Sequence, residues 1–200
     1  MLLKFLFMVI MIFAFAEGCT YRGLECPDYT LLEKHFDYEV RSYPILTWAI
    51  TDEVNRLGKA AERKASKRLT EYFEGKNNRS MDITKTLPVR IKISHLNKNN
   101  YEVGFLIPSN LAKNPPCPID MRIRIVQEPP TAYVVRSFSG YYPEIVGVPD
   151  KTWDLQAKKL AEIMKDDDSV RKTTYYKSQY DTPSLFTESR NEIWMIKEVD

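Results

Sequence analysis

YEVRSYPILTWAIT, residues 38–51, reads as a strand, a proline break and a second strand. IRIVQEPPTAYVVRSF, residues 123–138, has the same shape. Pro44 precedes Pro129 by 85 positions, and Trp48 precedes Tyr133 by the same interval. A helical pattern follows each copy. After the first, Thr51 or Asp52 is placed to cap a helix whose apolar stripe is Val54, Leu57, Ala61, Ala65, Leu69 and Tyr72. After the second, Asp150 caps a stripe of Trp153, Ala157, Leu160, Ala161 and Met164. Each helix leads to two more strands: LPVRIKISH and YEVGFLIP in the first copy, TTYYKSQY and NEIWMIKEV in the second. The closing strands match at an interval of 90, Glu102 against Glu192.

Two βαββ repeats, about 38–107 and 121–198, therefore predict an α+β domain spanning about 26–198. A single unit leaves a sheet edge open; two can join edges into a distorted, open β-barrel flanked by two helices. Such a pseudo-twofold arrangement leaves a groove where helix, strand ends and loops meet, a place suited to an apolar ligand.

Residues 1–16 carry Lys4 and then an unbroken apolar run ending Ala14-Phe15-Ala16, a small-x-small pattern. This reads as a secretory signal peptide cleaved after residue 16 or 18, rather than a retained anchor helix, because the run is short for a membrane span. Removal of residues 1–16 leaves 28 basic against 27 acidic residues. That balance gives no electrostatic case for nucleic acid, and no membrane partner is expected after cleavage. An extracellular destination predicts a disulfide among Cys19, Cys26 and Cys117. Cys26 with Cys117 is the preferred pair, with Cys19–Cys117 and Cys19–Cys26 as alternatives. Asn78-Arg79-Ser80 is a glycosylation sequon in a polar stretch.

Catalytic motifs do not appear. There is no Gly-rich phosphate loop, GxSxG or HExxH, and no CxxC or HxxxH spacing for zinc. Asp166, Asp167 and Asp168 lack the spacing of a calcium loop and read as a solvated helix end. The chain is read as a binding protein and not as an enzyme.

DYEVRSYPILTW (37–48), LIPSNLAKNPPCP (106–118), YVVRSFSG (133–140) and YDTPSLFTESRNEIWMI (180–196) together resemble the SOUL or haem-binding protein family, in its secreted, haem-binding-protein-2-like branch. The resemblance implies a distorted barrel of two βαββ repeats and binding of haem b or a related porphyrin. One branch of that family carries a histidine at the position of Ser42, and a serine hydroxyl is a poor iron ligand. The family's Met-Thr-x-Pro-Val is here Lys85-Thr86-Leu87-Pro88-Val89, without the methionine. Of an Arg, a Met and a Lys that another branch presents from the first helix, only the Arg carries over, as Arg63; the other positions are Thr70 and Glu71. The expected cofactor site is therefore Arg63, with Lys59 and Lys67 on the same basic face, pairing with propionates, and with weak or absent axial ligation. His95, His35 or a tyrosine are the remaining iron ligands the sequence offers. His95 alternates onto the apolar face of its strand and His35 precedes the first repeat.

Two other functions compete. LAEIMKDDD, residues 160–168, resembles a short BH3-like stretch of the haem-binding-protein-2 branch, which would offer Leu160, Ile163 and Met164 to a partner groove. The third reading is a carrier of another apolar small ligand after loss of haem binding.

Overall fold

The computed structural model describes residues 18–54, 58–94 and 100–198. The signal-peptide reading of residues 1–16 and the placement of His95 and Leu57 lie outside the described residues. In chain order the elements are β1 (Thr20–Tyr21), β2 (Leu24–Glu25), β3 (Thr30–Lys34), β4 (Glu39–Tyr43), β5 (Leu46–Val54), α1 (Gly58–Phe73), β6 (Val89–Ser94), β7 (Asn100–Leu106), β8 (Ile123–Glu128), β9 (Thr131–Gly140), α2 (Asp150–Ile163), β10 (Thr174–Gln179) and β11 (Ser189–Lys197).

The repeat is present, and its first strands are exchanged. One curled antiparallel sheet runs β3-β4-β9-β11-β10-β6-β7-β5-β8. The third strands, β6 and β10, pair at its centre. The opening strand of the first copy, β4, lies against β9 of the second. The opening strand of the second, β8, lies against β5 of the first. The two copies interlock, so neither can form its sheet alone, and the result is an open half-barrel with a helix over each half.

The pleat sends alternate residues to opposite faces. On the convex side α1 lays Ala65, Leu69 and Tyr72 against Ala49, Ile91 and Val103. Over the other half α2 lays Trp153, Ala157 and Leu160 against Val134, Ile193 and Met195. The concave side is filled by rings. Tyr43, Tyr133, Tyr176, Tyr180 and Trp194 form one cluster, and Trp48, Ile50 and Leu106 adjoin it. Trp48 and Tyr133, equivalent in the repeat, both belong to this concave filling. Gly104 stands where the second copy has Trp194; a Cβ there would meet the Trp48 ring at 3.4 Å, so the missing side chain makes room for that indole.

Three expectations are corrected. Thr51 and Asp52 do not cap α1. β5 continues through Val54, because its ladder with β7 extends to Val54↔Asn100, and α1 begins at Gly58. Thr51 is buried and takes a hydrogen bond from Arg68 at 2.6 Å. Cys26 pairs with Cys19 and not with Cys117. The β1–β2 hairpin sets Thr20 opposite Glu25 and holds the two cysteine Cα atoms 5.0 Å apart. Cys117 is an exposed thiol whose backbone N–H donates to Asn78 Oδ1 at 2.7 Å. Finally, Leu160 and Met164 are core residues under α2 and only Ile163 is exposed. A BH3-like face would have to leave the sheet before it could meet a partner.

Candidate functional site

The residues that carry the sequence resemblance meet in the concave interior. Glu192 is fully buried and accepts hydrogen bonds from Arg41 at 3.1 Å, Arg190 at 2.7 Å and the Trp194 indole at 2.7 Å. Burial alone would raise the Glu192 carboxyl; Arg41 and Arg190 outweigh it and hold the group below the ordinary carboxylate value. Arg41 lies over the Tyr29 ring at 4.5 Å, and Tyr43 stacks on Trp194 at 4.8 Å. A second cation, Arg90, is sandwiched between Trp48 at 4.0 Å and Tyr176 at 4.4 Å and takes both oxygens of Glu128. Burial drives the phenols of Tyr43, Tyr133 and Tyr180 well above their usual value. These tyrosines are not phenolates near neutral pH, and this network is architectural.

Ser42 and the α1 cations do not come together. Ser42 sits half-buried in β4 between Thr30 and Ala132. Four strands separate β4 from β7, one of the two strands under α1. His35 is exposed, 2.9 Å from Glu33 Oε2, and stacks on Tyr38 with ring centroids 4.3 Å apart. Ser42 alternates onto the face of β4 opposite Arg41 and Tyr43 but is far across the sheet from α1, and His35 lies in the exposed connection between β3 and β4.

On α1 the three predicted cations differ. Lys59 is tied down: its ammonium donates to Val148 O at 2.9 Å and lies 3.9 Å from Glu62 and 4.0 Å from Asp150. Arg63 and Lys67, one and two turns on, are exposed and form no ion pair among the described residues. Arg63 is two residues from both Ala61 and Ala65, hence about 200° around the helix from the buried stripe. Arg68, at the end of the basic stretch that begins at Lys59, does not share the solvated face expected for that stretch. It is buried and paired with Glu53 at 2.7 Å, so it fixes α1 to β5.

Lys59 also touches a pair of apolar loops. Tyr142 N–H donates to Ser184 O at 3.0 Å, which locks loop 141–149 to loop 181–188. Gly147, at φ +68°, permits the turn that brings its own Cβ position within 3.9 Å of Lys59 Nζ and 3.7 Å of Pro183. The pair exposes Tyr141, Ile145, Val146, Leu185 and Phe186; Ile145 and Phe186 are each 96% exposed. An exposed apolar surface next to a basic helix suits a flat, apolar ligand with acidic edges. Patterning does not single out Ile145 or Phe186, because neither belongs to a periodic element; their non-periodic exposure is the only signal.

Beside α2 a recess of about 440 Å³ lies over β6, β7 and β10. Its floor includes Tyr101, Ala157, Tyr175 and Met195. Most of its charges are spent internally, although Lys158 at its edge is exposed and has no ion pair among the described residues. Lys177 bridges Glu62 at 3.1 Å and Asp150 at 2.9 Å, and Lys172 donates to three carbonyls at the end of α2. The Tyr175 phenol donates to Asp154 at 2.9 Å. Burial, reinforced by the Asp154 charge, holds this phenol far above its ordinary value, so it is no phenolate for iron. Asp167, the centre of the acidic triplet, takes Lys197 at 2.8 Å. Among the described residues no group of three or more His, Cys, Asp or Glu side chains could hold a metal ion.

Comparison with known proteins places these features. Residues 24–196 match the family described as SOUL heme-binding protein. The chain is 26% identical to heme-binding protein 2 of Homo sapiens over 191 residues, covering 91% of this chain and 90% of that one. It is 30% identical to heme-binding protein 1 of Xenopus laevis over 165 residues, covering 80% and 83%. Among solved structures, the C-terminal domain of EcmrR shares the fold with a TM-score of 0.57 at 13% identity, covering 86% of this chain and 99% of that domain.

Proposed function

The chain belongs to the SOUL heme-binding protein family, and from that premise we propose that its tetrapyrrole lies on the loop face beside α1. The observation that carries this reading is the apolar pair of loops locked beside Lys59, with Arg63 one turn further along α1. The ring packs on Ile145, Val146, Leu185 and Phe186, and its propionates take Arg63 and Lys67, the two cations of α1 that have no ion pair among the described residues. Lys59, held by Val148 O, fixes the loops to the helix rather than serving as a primary propionate partner. Haem b is the reference ligand. Ser42 is distant in the sheet, His35 is bonded to Glu33, and the buried phenols stay protonated; each fact supports a site with little or no axial ligation.

Export of the protein is part of the same proposal. The Cys19–Cys26 bond suits an oxidising compartment, and Asn78 is exposed, as a glycosylation acceptor must be.

Titration with hemin, followed at the Soret band, tests the binding reading. A saturable shift at low micromolar concentration that Phe186→Ser weakens is the expected outcome. Saturable binding unchanged by Phe186→Ser and by Arg63→Ala would move the ligand off this face, and no saturable shift would leave the face to another apolar ligand.

A further inference from the structure

Apart from the apolar loops, the stapled N-terminal arm closes a separate cavity. Its volume is about 340 Å³. One wall is the arm at Cys26 and Pro27, another is the β4–β5 corner at Pro44, Ile45 and Leu46, and the third is Leu106 with the loop that follows β7. It shares no lining residue with loops 141–149 and 181–188. The arm is firmly held: Leu87 N–H donates to Glu25 O at 2.8 Å and Ser109 N–H to Glu25 Oε1 at 2.8 Å. The cavity is therefore a built feature of the fold.

The lining has a distinct chemistry. Its apolar members are aliphatic side chains, prolines and the disulfide-bonded Cys26, with no aromatic ring among them. That suits a flexible hydrocarbon chain and offers nothing to stack on a planar ring. The polar rim holds Glu25, Asp28, Lys113 and Gln127. Both acids are already engaged, Glu25 by the Ser109 N–H and Asp28 by the Cys19 N–H at 2.5 Å. Thr47 donates to Ala112 O at 3.1 Å. Lys113 and Gln127 are exposed and make no side-chain hydrogen bond or ion pair among the described residues. The unspent polar capacity at this mouth is thus a cation and an amide beside an aliphatic chamber.

We propose that this cavity binds the hydrocarbon chain of a carboxylate-headed amphiphile, a free fatty acid in chemical class, with its carboxylate at Lys113 and Gln127. The chain lies against Ile45, Leu46, Leu106 and Ile107, with the carboxylate on the Lys113 and Gln127 side of the mouth, away from Glu25 and Asp28. Because the two sites share no residues, occupancy here does not depend on the tetrapyrrole.

The test is calorimetric binding of dodecanoate and dodecanol to the full chain, with and without saturating hemin. One saturable dodecanoate site is expected, with the same affinity in the presence of hemin. Lys113→Glu should weaken dodecanoate at least tenfold and leave dodecanol unchanged. Ile45→Asp, at an exposed position where folding is not at risk, should weaken both ligands. No saturable dodecanoate binding, indifference to both substitutions, or stoichiometric displacement by hemin would each overturn the assignment. If hemin fails to bind at all, the dodecanoate arms still decide this site by themselves.

Discussion

The concave interior and the loop face are built from the same kinds of side chain, rings and guanidinium groups, and use them in opposite ways. Inside, every ring-stacked arginine has a carboxylate: Arg41 and Arg190 share Glu192, and Arg90 takes Glu128. On the loop face Phe186 and Ile145 stand in solvent, and Arg63 has no ion pair among the described residues. Interactions already satisfied internally cannot be offered to a ligand without leaving a buried charge or donor unpaired. The paired arginines mark architecture in this fold, and the proposed binding face is where apolar side chains stay exposed.

The largest effect is expected where that contrast is broken from the inside. Glu192→Ala leaves Arg41 and Arg190 without their shared carboxylate and should cost about 3–5 kcal/mol in urea unfolding. An unchanged midpoint would mean the network contributes nothing. The same group sets a pH dependence. Its folded value lies below that of an unfolded glutamate, about 4.3. Its contribution is therefore fully present above that value and is lost as pH falls through the lower folded one. Glu192→Gln should flatten this acid limb.

Next in size is the staple. Cys19→Ser opens a short loop and should cost about 2 kcal/mol in the chain-entropy picture, matched by wild-type protein in reductant. Cys117→Ser should leave stability within about 0.5 kcal/mol, since that thiol is exposed and unpaired. The reverse ranking would restore the Cys26–Cys117 pairing expected from the sequence.

On the loop face the effects should fall on ligand and not on fold. Phe186→Ser should keep stability within about 0.5 kcal/mol, because the ring is exposed. It should weaken hemin by roughly 1–3 kcal/mol if the ring buries against the porphyrin. Arg63→Ala should weaken hemin and metal-free protoporphyrin IX alike, by about 1–3 kcal/mol. The smallest expected difference sharpens the contrast most. Hemin and protoporphyrin IX should bind within about tenfold of each other, because a good axial bond would add more than ~1.4 kcal/mol. A hundredfold preference for hemin would identify an iron ligand and return His35, His95 or a tyrosine to the argument.

Much of the architecture was legible from local pattern. Pro44 and Pro129, Trp48 and Tyr133, and Glu102 and Glu192 mark equivalent points of two copies, and the pleat turns Trp48 and Tyr133 to the same face. Alternation and helical periodicity are properties of neighbouring residues, so they survive without coordinates. The start of α1 differs from the local reading because Thr51 and Asp52 suit a cap, while the ladder with β7 claims both for β5 and β8 pairs Thr51 as well.

The site was less legible. The basic stripe Lys59, Arg63 and Lys67 was visible in the sequence, yet its division into one engaged and two exposed cations depends on Val148 and Asp150, some 90 positions away. The exchange of first strands, the choice of Cys19 for Cys26, and the burial of Glu192 beneath Arg41 are likewise long-range. By itself the sequence determined the repeated unit, the family and the identity of the candidate cations, because each is written in short-range spacing. Tertiary structure alone decided which charges are spent and which apolar residues stay exposed, because a side chain's free energy depends on partners that the chain brings together only when it folds.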